Sequence, residues 1–126
     1  MESKILIIDD DVDFTRLVKS KLEKTGRYEV QVENNSFHGI DEAKAFKPDL
    51  ILLDFMMPGV DGSEVAERMK EDKDLNKTPI VFLTSMVSDE EVESRAGLIG
   101  GNRFIAKAQP MQKIIDSIEQ NISMVR

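Results

Sequence analysis

Short apolar runs and amphipathic stretches alternate along the chain from end to end. The runs cover residues 4–8, 28–32, 50–54, 80–84 and 103–106. Three of them contain an unbroken apolar quartet: Ile5-Leu6-Ile7-Ile8, Leu50-Ile51-Leu52-Leu53 and Ile80-Val81-Phe82-Leu83. Strands buried on both faces of a parallel sheet read this way, because helices cover each face and no position alternates out to solvent. Between the runs, Phe14, Leu17, Val18 and Leu22 recur at helical spacing, as do Met111, Ile114, Ile115, Ile118 and Ile122. Val65, Ala66 and Met69 form a weaker stripe. Helical stretches are also predicted for 36–46 and 88–97, with Ser36 and Ser88 as N-caps. Gly26 reads as the C-cap of the first helix, and Pro48 and Pro79 stand just before strands. The pattern predicts a (βα)5 chain with right-handed crossovers, folded as one doubly wound α/β domain.

Composition narrows the picture. The length of 126 residues suits one domain, read here as 1–126, and 40% hydrophobic with 33% charged residues suits a folded globule. The chain has no cysteine, which excludes disulfides, thiolate metal sites and a cysteine nucleophile. No apolar run approaches the roughly 18 residues of a membrane span. Met1-Glu2-Ser3-Lys4 lacks the features of a signal peptide, so the expected compartment is the cytoplasm. The net charge of -7, from 17 basic and 24 acidic residues, argues against direct nucleic-acid binding. Four of the five residues from 9 to 13 are aspartate, directly after an apolar strand.

In open α/β sheets, ligands bind beyond the carboxyl ends of the strands. Asp9, Asp10 and Asp11 follow the first strand, Asp54 ends the third, Thr84-Ser85 ends the fourth, and Lys107 follows the fifth. Two carboxylates ~4 Å apart repel by about 4 kcal/mol at an effective dielectric near 20. Asp9, Asp10 and Asp54 must therefore share protons, bind a cation or pair with Lys107. An all-oxygen set that leaves room for water suits Mg²⁺ better than Zn²⁺, and a divalent ion so held can also bind phosphate oxygens. With no cysteine competing, an aspartate becomes the candidate nucleophile, because carboxylates form acyl-phosphates. Asp54 sits at the end of a central buried run, in a fixed position. Lys107 and the Thr84 hydroxyl are placed to meet the incoming phosphoryl charge.

These residues resemble the receiver domains of bacterial two-component response regulators. The resemblance rests on Ile5-Leu6-Ile7-Ile8-Asp9-Asp10-Asp11, Asp54-x-x-Met57-Pro58-x-x-Asp61-Gly62, Pro79-Ile80-Val81-Phe82-Leu83-Thr84-Ser85 and Phe104-x-x-Lys107, in order along nearly the whole chain. It implies a CheY-like, flavodoxin-like sheet of strand order 2-1-3-4-5. It implies that Asp54 accepts a phosphoryl group from a histidine kinase, a phosphotransfer protein or a small phosphodonor. Asp10 would then bind Mg²⁺ directly and Asp9 through water, with Asp54 and the backbone carbonyl of Met56 completing the protein ligands; Mn²⁺ could substitute. Thr84 and Lys107 would contact the phosphate. Phe104 would be the aromatic switch that turns inward with Thr84. The surface of the fourth helix, fifth strand and fifth helix would then change its preference for a downstream protein partner or output domain. Such a protein acts as a switch that promotes only its own phosphorylation and dephosphorylation, not as an enzyme on a separate metabolite.

The sequence departs from the family's pattern after Lys107. Most members place proline there through a cis bond, whereas this chain reads Ala108-Gln109-Pro110, so Lys107–Ala108 is predicted trans and Pro110 is predicted to begin the fifth helix. Phe104 stands where tyrosine is commoner. Met56 and Met86, two residues beyond Asp54 and Thr84, predict slow self-dephosphorylation. No output domain and no DNA-binding helix pair is evident, which leaves a stand-alone protein or an excised domain.

Rival readings exist. Asp9-x-Asp11-x-Asp13 is similar to a calcium loop, but Phe14 stands where glycine is needed and Ser20 where glutamate is needed. Asp11-Val12-Asp13-Phe14-Thr15 resembles the motif of haloacid-dehalogenase-like phosphohydrolases, with Asp11 as nucleophile and Asp13 as general acid/base. Against that, Asp9 and Asp10 stand between strand and motif. A receiver-like interaction module that is never phosphorylated is the third. In the plainer view, Asp11 and Asp13 only favour the N-terminus of the first helix, His38 lies on the surface, Met57-Pro58-Gly59 is a turn, and the stripe from 111 to 122 is core.

Overall fold

The computed structural model describes residues 2–86, 88–94, 98–99 and 102–125. In chain order the elements are β1 (Ser3–Ile8), α1 (Val12–Glu23), β2 (Tyr28–Glu33), α2 (Gly39–Phe46), β3 (Leu50–Asp54), β4 (Met56–Met57), β5 (Val60–Asp61), α3 (Gly62–Glu71), β6 (Ile80–Thr84), α4 (Asp89–Ser94), β7 (Leu98–Ile99), β8 (Asn102–Ala106) and α5 (Met111–Val125). Strands β2-β1-β3-β6-β8 form one parallel sheet, the 2-1-3-4-5 order of a doubly wound fold, with β7 added antiparallel at the edge.

The apolar quartets feed both faces of this sheet. Ile5, Ile7, Leu50, Leu52, Val81 and Leu83 point to one side, where Val18 and Leu22 of α1 and Ile114, Ile115, Ile118 and Ile122 of α5 cover them. Leu6, Ile8, Ile51, Leu53 and Phe82 point to the other, against Ala43 of α2 and Val65, Ala66 and Met69 of α3. Alternate residues of β1, β3 and β6 thus belong to different cores, whereas edge strand β2 alternates and leaves Glu29 exposed. At the other end of each strand's apolar segment, the polar residues emerge together on one edge.

Several local expectations shift. Leu17 shares the helical spacing of the α1 stripe but is 45% exposed, because the helix buries a narrower face than the spacing allows. The second helical stretch opens with a 3₁₀ turn, Ser36–His38, whose cap is Asn35 and not Ser36; the Asn35 side chain accepts the Phe37 N–H at 3.0 Å. Ser88 does cap α4, its Oγ accepting the Glu91 N–H at 3.1 Å. That helix covers Asp89–Ser94, and residues 95–97 of the predicted stretch lie outside the described residues. The C-cap of α1 is Lys24, and Gly26 follows in the left-handed region at φ 74°. Pro58-Gly59 turns the β4–β5 hairpin, with Gly59 at φ 75° as a proline-glycine turn requires. Pro110 stands just before α5, its carbonyl accepting the N–H groups of Lys113 and Ile114. No described peptide bond is cis, so Lys107–Ala108 is trans, as predicted.

Candidate functional site

The carboxyl edge of the sheet gathers the acids. Asp9, just past β1, is fully buried. Its Oδ1 accepts the Asp11 N–H at 3.0 Å and its Oδ2 accepts from Lys107 Nζ at 2.8 Å. Asn34, just past β2, donates from one amide nitrogen to the Asp9 carbonyl at 2.8 Å and to Thr15 Oγ1 at 3.0 Å, tying the turn after β1 to its neighbours. Asp10 is exposed, yet one oxygen each from Asp9, Asp10 and Asp54 lie within 4.8 Å of one another. Asp11 is spent on α1: its Oδ1 caps the helix by accepting the Phe14 N–H at 3.0 Å, and Asp13 is exposed in the first turn. The phosphohydrolase pair is therefore not assembled, since its supposed nucleophile is a helix cap.

Asp54 closes β3 and is 6% exposed. Its Oδ1 accepts the Met56 N–H at 3.3 Å, and its Oδ2 lies 4.0 Å from Lys107 Nζ. Burial, with the Asp9 charge behind it, pushes the Asp54 carboxyl up to about 7; Lys107 and the Met56 N–H pull the other way and do not win. Gly62, the first residue of α3, makes this strand end possible. A Cβ there would meet the Asp54 carbonyl oxygen at 2.3 Å, and the Gly62 N–H donates to the Phe55 carbonyl at 2.9 Å. Asp61 caps α3 by accepting from the Ser63 hydroxyl and N–H, which hold its carboxyl below the usual range.

Thr84 ends β6 buried; its Oγ1 accepts the Met86 N–H at 3.0 Å and its carbonyl accepts the Lys107 N–H at 2.8 Å. The Lys107 side chain is 15% exposed, and its Nζ lies 4.5 Å from the centroid of the Phe14 ring. Phe104 is buried, its ring centroid 5.1 Å from Phe82 and 5.3 Å from Phe55, so it already faces inward. Met56 and Met86 are both exposed on this edge.

The structure therefore brings Asp9, Asp10, Asp54 and Lys107 together, with Thr84 and Met56 beside them and Phe104 behind in the second core. The donor set fits a hard divalent cation such as Mg²⁺: three carboxylate oxygens, one ammonium to offset them, and an Asp54 carboxyl that burial and the neighbouring Asp9 raise to about 7. Two contributors escape motif reading: Asn34 and Phe14. Gly62 stands in the Asp61-Gly62 motif, where sequence gives it no role, and Asn34 follows a strand end on the reactive edge. Nothing in the pattern distinguishes Phe14 from a core residue.

The sequence signature of the response regulator receiver domain matches residues 5–119. The chain is 34% identical to the nisin biosynthesis regulatory protein NisR of Lactococcus lactis over 122 residues, covering 97% of this chain and 51% of that protein. It is 31% identical to the polar-differentiation response regulator DivK of Brucella anthropi over 121 residues, covering 94% of this chain and 95% of DivK. The signal receiver domain of a DNA-binding response regulator from Colwellia psychrerythraea superposes with a TM-score of 0.75 at 26% identity, covering 97% of this chain and 99% of that one. The chain thus spans about half the length of NisR and nearly all of DivK.

Proposed function

The chain belongs to the response regulator receiver family, and on that premise we propose that Asp54 accepts a phosphoryl group, with Asp9 and Asp10 holding Mg²⁺ beside it. The observation that carries the reading is the buried Asp54 carboxyl within 4.8 Å of the Asp9 and Asp10 oxygens and 4.0 Å from the Lys107 ammonium. The Met56 carbonyl completes the protein ligands, and Mn²⁺ can take the place of Mg²⁺. When bound, the cation supplies positive charge that offsets the incoming phosphoryl oxygens.

In the transfer, an Asp54 carboxylate oxygen forms a bond to phosphorus while the bond from phosphorus to the donor breaks. The leaving group keeps that electron pair: a phosphohistidine imidazole takes up a proton as it departs, and acetyl phosphate leaves as acetate. Lys107 pairs with a phosphoryl oxygen, a short movement from where it stands. Thr84 accepts from Met86, which leaves its own hydroxyl proton to donate to the phosphoryl group. That draw on Thr84 is coupled to Phe104 and resets the surface of α4, β8 and α5 for a downstream protein or output domain, a population shift driven by a local charge event. The donors are a histidine kinase, a phosphotransfer protein or a small phosphodonor. The reading is one receiver domain acting as a switch, with no direct nucleic-acid contact and no metabolite turned over. No described helix is long and apolar enough to cross a membrane, and a cytoplasmic site of action suits the reading. Met56 and Met86 leave an attacking water without a polar partner there, so self-dephosphorylation is slow.

Borohydride reduction followed by peptide mapping tests the acceptor. An aspartyl phosphate is reduced to homoserine, and the account places that homoserine at position 54; finding it at 11 would favour the phosphohydrolase pair. Asp10→Asn weakens Mg²⁺ binding by roughly tenfold or more, because it removes the carboxylate's negative charge and one of its two oxygens without disturbing the core. Isothermal titration checks this, and unchanged affinity would remove Asp10 from the site. Lys107→Ala slows phosphoryl transfer without lowering Mg²⁺ affinity, because the ammonium repels the cation it sits beside. A normal transfer rate and normal partner affinity in that variant would contradict its role.

A further inference from the structure

We propose that Phe14 is a positioning residue for Lys107, holding the ammonium over its ring so that it stands ready between Asp9 and Asp54. The inference rests on the role given to Lys107 above. A lysine carries its charge on a long flexible stem, and something must aim it. Here the residue after Lys107 is alanine, exposed to solvent. The turn is closed instead by Gln109, whose Nε2 donates to the Ala106 carbonyl at 2.7 Å and whose N–H donates to the Lys107 carbonyl at 3.0 Å. Those bonds fix the backbone but not the side chain. Three groups lie close to the ammonium: Asp9 Oδ2 at 2.8 Å, Asp54 Oδ2 at 4.0 Å and the Phe14 ring at 4.5 Å to its centroid.

The Asp9 and Phe14 contacts differ in what happens during the reaction. Asp9 is also one of the residues that would hold the cation, so its hold on the ammonium would loosen once that site is filled. The ring carries no formal charge, does not titrate and is no ligand for a hard cation. Its negative face attracts an ammonium in a site largely closed to water. The Phe14 contact therefore persists when the Asp9 contact is loosened, and it keeps the ammonium near Asp54 at the moment the phosphoryl group arrives. Phe14 is itself well fixed. Its N–H donates to the Asp11 cap at 3.0 Å, and its side chain packs partly buried against the first core. The plain alternative is that Phe14 only seals the edge of that core.

The test uses the 126-residue chain with acetyl phosphate and saturating Mg²⁺, comparing wild type with Phe14→Leu, Phe14→Tyr and Lys107→Ala. Leucine keeps apolar bulk and removes the aromatic face, whereas tyrosine keeps the face. The expected result is a roughly 5- to 30-fold slower transfer in Phe14→Leu, the range of a desolvated ammonium–ring contact. Phe14→Tyr recovers most of that loss, and Mg²⁺ affinity does not move in either. In proton NMR, the Lys107 ε-methylene resonances of wild type lie upfield through the ring current, stay there in Phe14→Tyr and return in Phe14→Leu. Unshifted methylene resonances in wild type would overturn the proposal even if a variant failed to fold. A wild-type rate in Phe14→Leu, or equal losses in the leucine and tyrosine variants, would overturn it too. A slow Lys107→Ala beside an unaffected Phe14→Leu sinks this inference alone; a wild-type rate in Lys107→Ala sinks the role of Lys107 and this inference with it.

Discussion

Asp54→Asn accepts no phosphoryl group, and in metal-free buffer at neutral pH it melts at a higher temperature than wild type. The first half follows from removing the nucleophilic oxygen, since an amide does not form an acyl-phosphate in its place. The second half follows from where the carboxyl sits. Its ordinary value is 3.8 and burial beside Asp9 raises it to about 7. Between those values the folded chain binds a proton that the unfolded chain has already released. The stabilisation from that proton is fully present below the ordinary value and is lost as pH rises through about 7. The loss is on the order of 4 kcal/mol across the window. Asparagine is neutral throughout and does not pay it. Melting curves of the two proteins from acid to neutral pH, without divalent ions, should diverge steadily with the wild type falling behind. Parallel curves would mean that Asp54 is not buried beside Asp9. Adding Mg²⁺ should restore the wild type far more than the variant, because a ligand that binds only the folded state stabilises it by mass action.

Gly62→Ala destabilises the protein by about 3 kcal/mol and disturbs the acceptor's strand end. An added Cβ would stand 2.3 Å from the Asp54 carbonyl oxygen and 2.8 Å from the Phe55 Cα and carbonyl oxygen. Every one of those atoms is backbone, so no flexible side chain can swing aside. Either the start of α3 retreats, breaking the Gly62 N–H bond to Phe55 and the Asp61 cap, or β3 bends just where Asp54 leaves it. The intrinsic helix preference of alanine recovers at most about 1 kcal/mol. Urea denaturation measures the first effect and the rate of phosphoryl uptake the second. A variant as stable as wild type would show that α3 and the end of β3 are not this close in solution.

Much of the fold was legible because the sheet is parallel and doubly covered. Ile5 to Ile8 and Leu50 to Leu53 serve two cores at once, and only a strand buried on both faces needs four apolar residues in a row. The elements that escaped depend on tertiary partners. Leu98–Ile99 is a two-residue strand whose extended form comes from pairing with Asn102 and Arg103, not from its own pattern. Leu17 kept the spacing of a core residue while its helix turned it outward. The acids, Thr84 and Lys107 were readable as a set because each stands at a strand end, and parallel strands bring their ends to one edge. Asn34 and Phe14 were not, because their work consists of contacts to Asp9 and Lys107 that exist only once the crossovers have been made. The same limit applied to Asp11: its place in an Asp-x-Asp-x-Thr string gave it a chemical alternative, and only the bond to the Phe14 N–H shows it occupied as a cap.

The central claim is that Asp54 is the phosphoryl acceptor, and intact-mass measurement tests it most directly. Wild type and Asp54→Asn are incubated side by side with acetyl phosphate and Mg²⁺, with a parallel pair in chelator. The account requires a gain of one phosphoryl group in wild type with Mg²⁺ and none in the other three samples. An equal gain in Asp54→Asn, or no gain in wild type at any donor concentration, would contradict it.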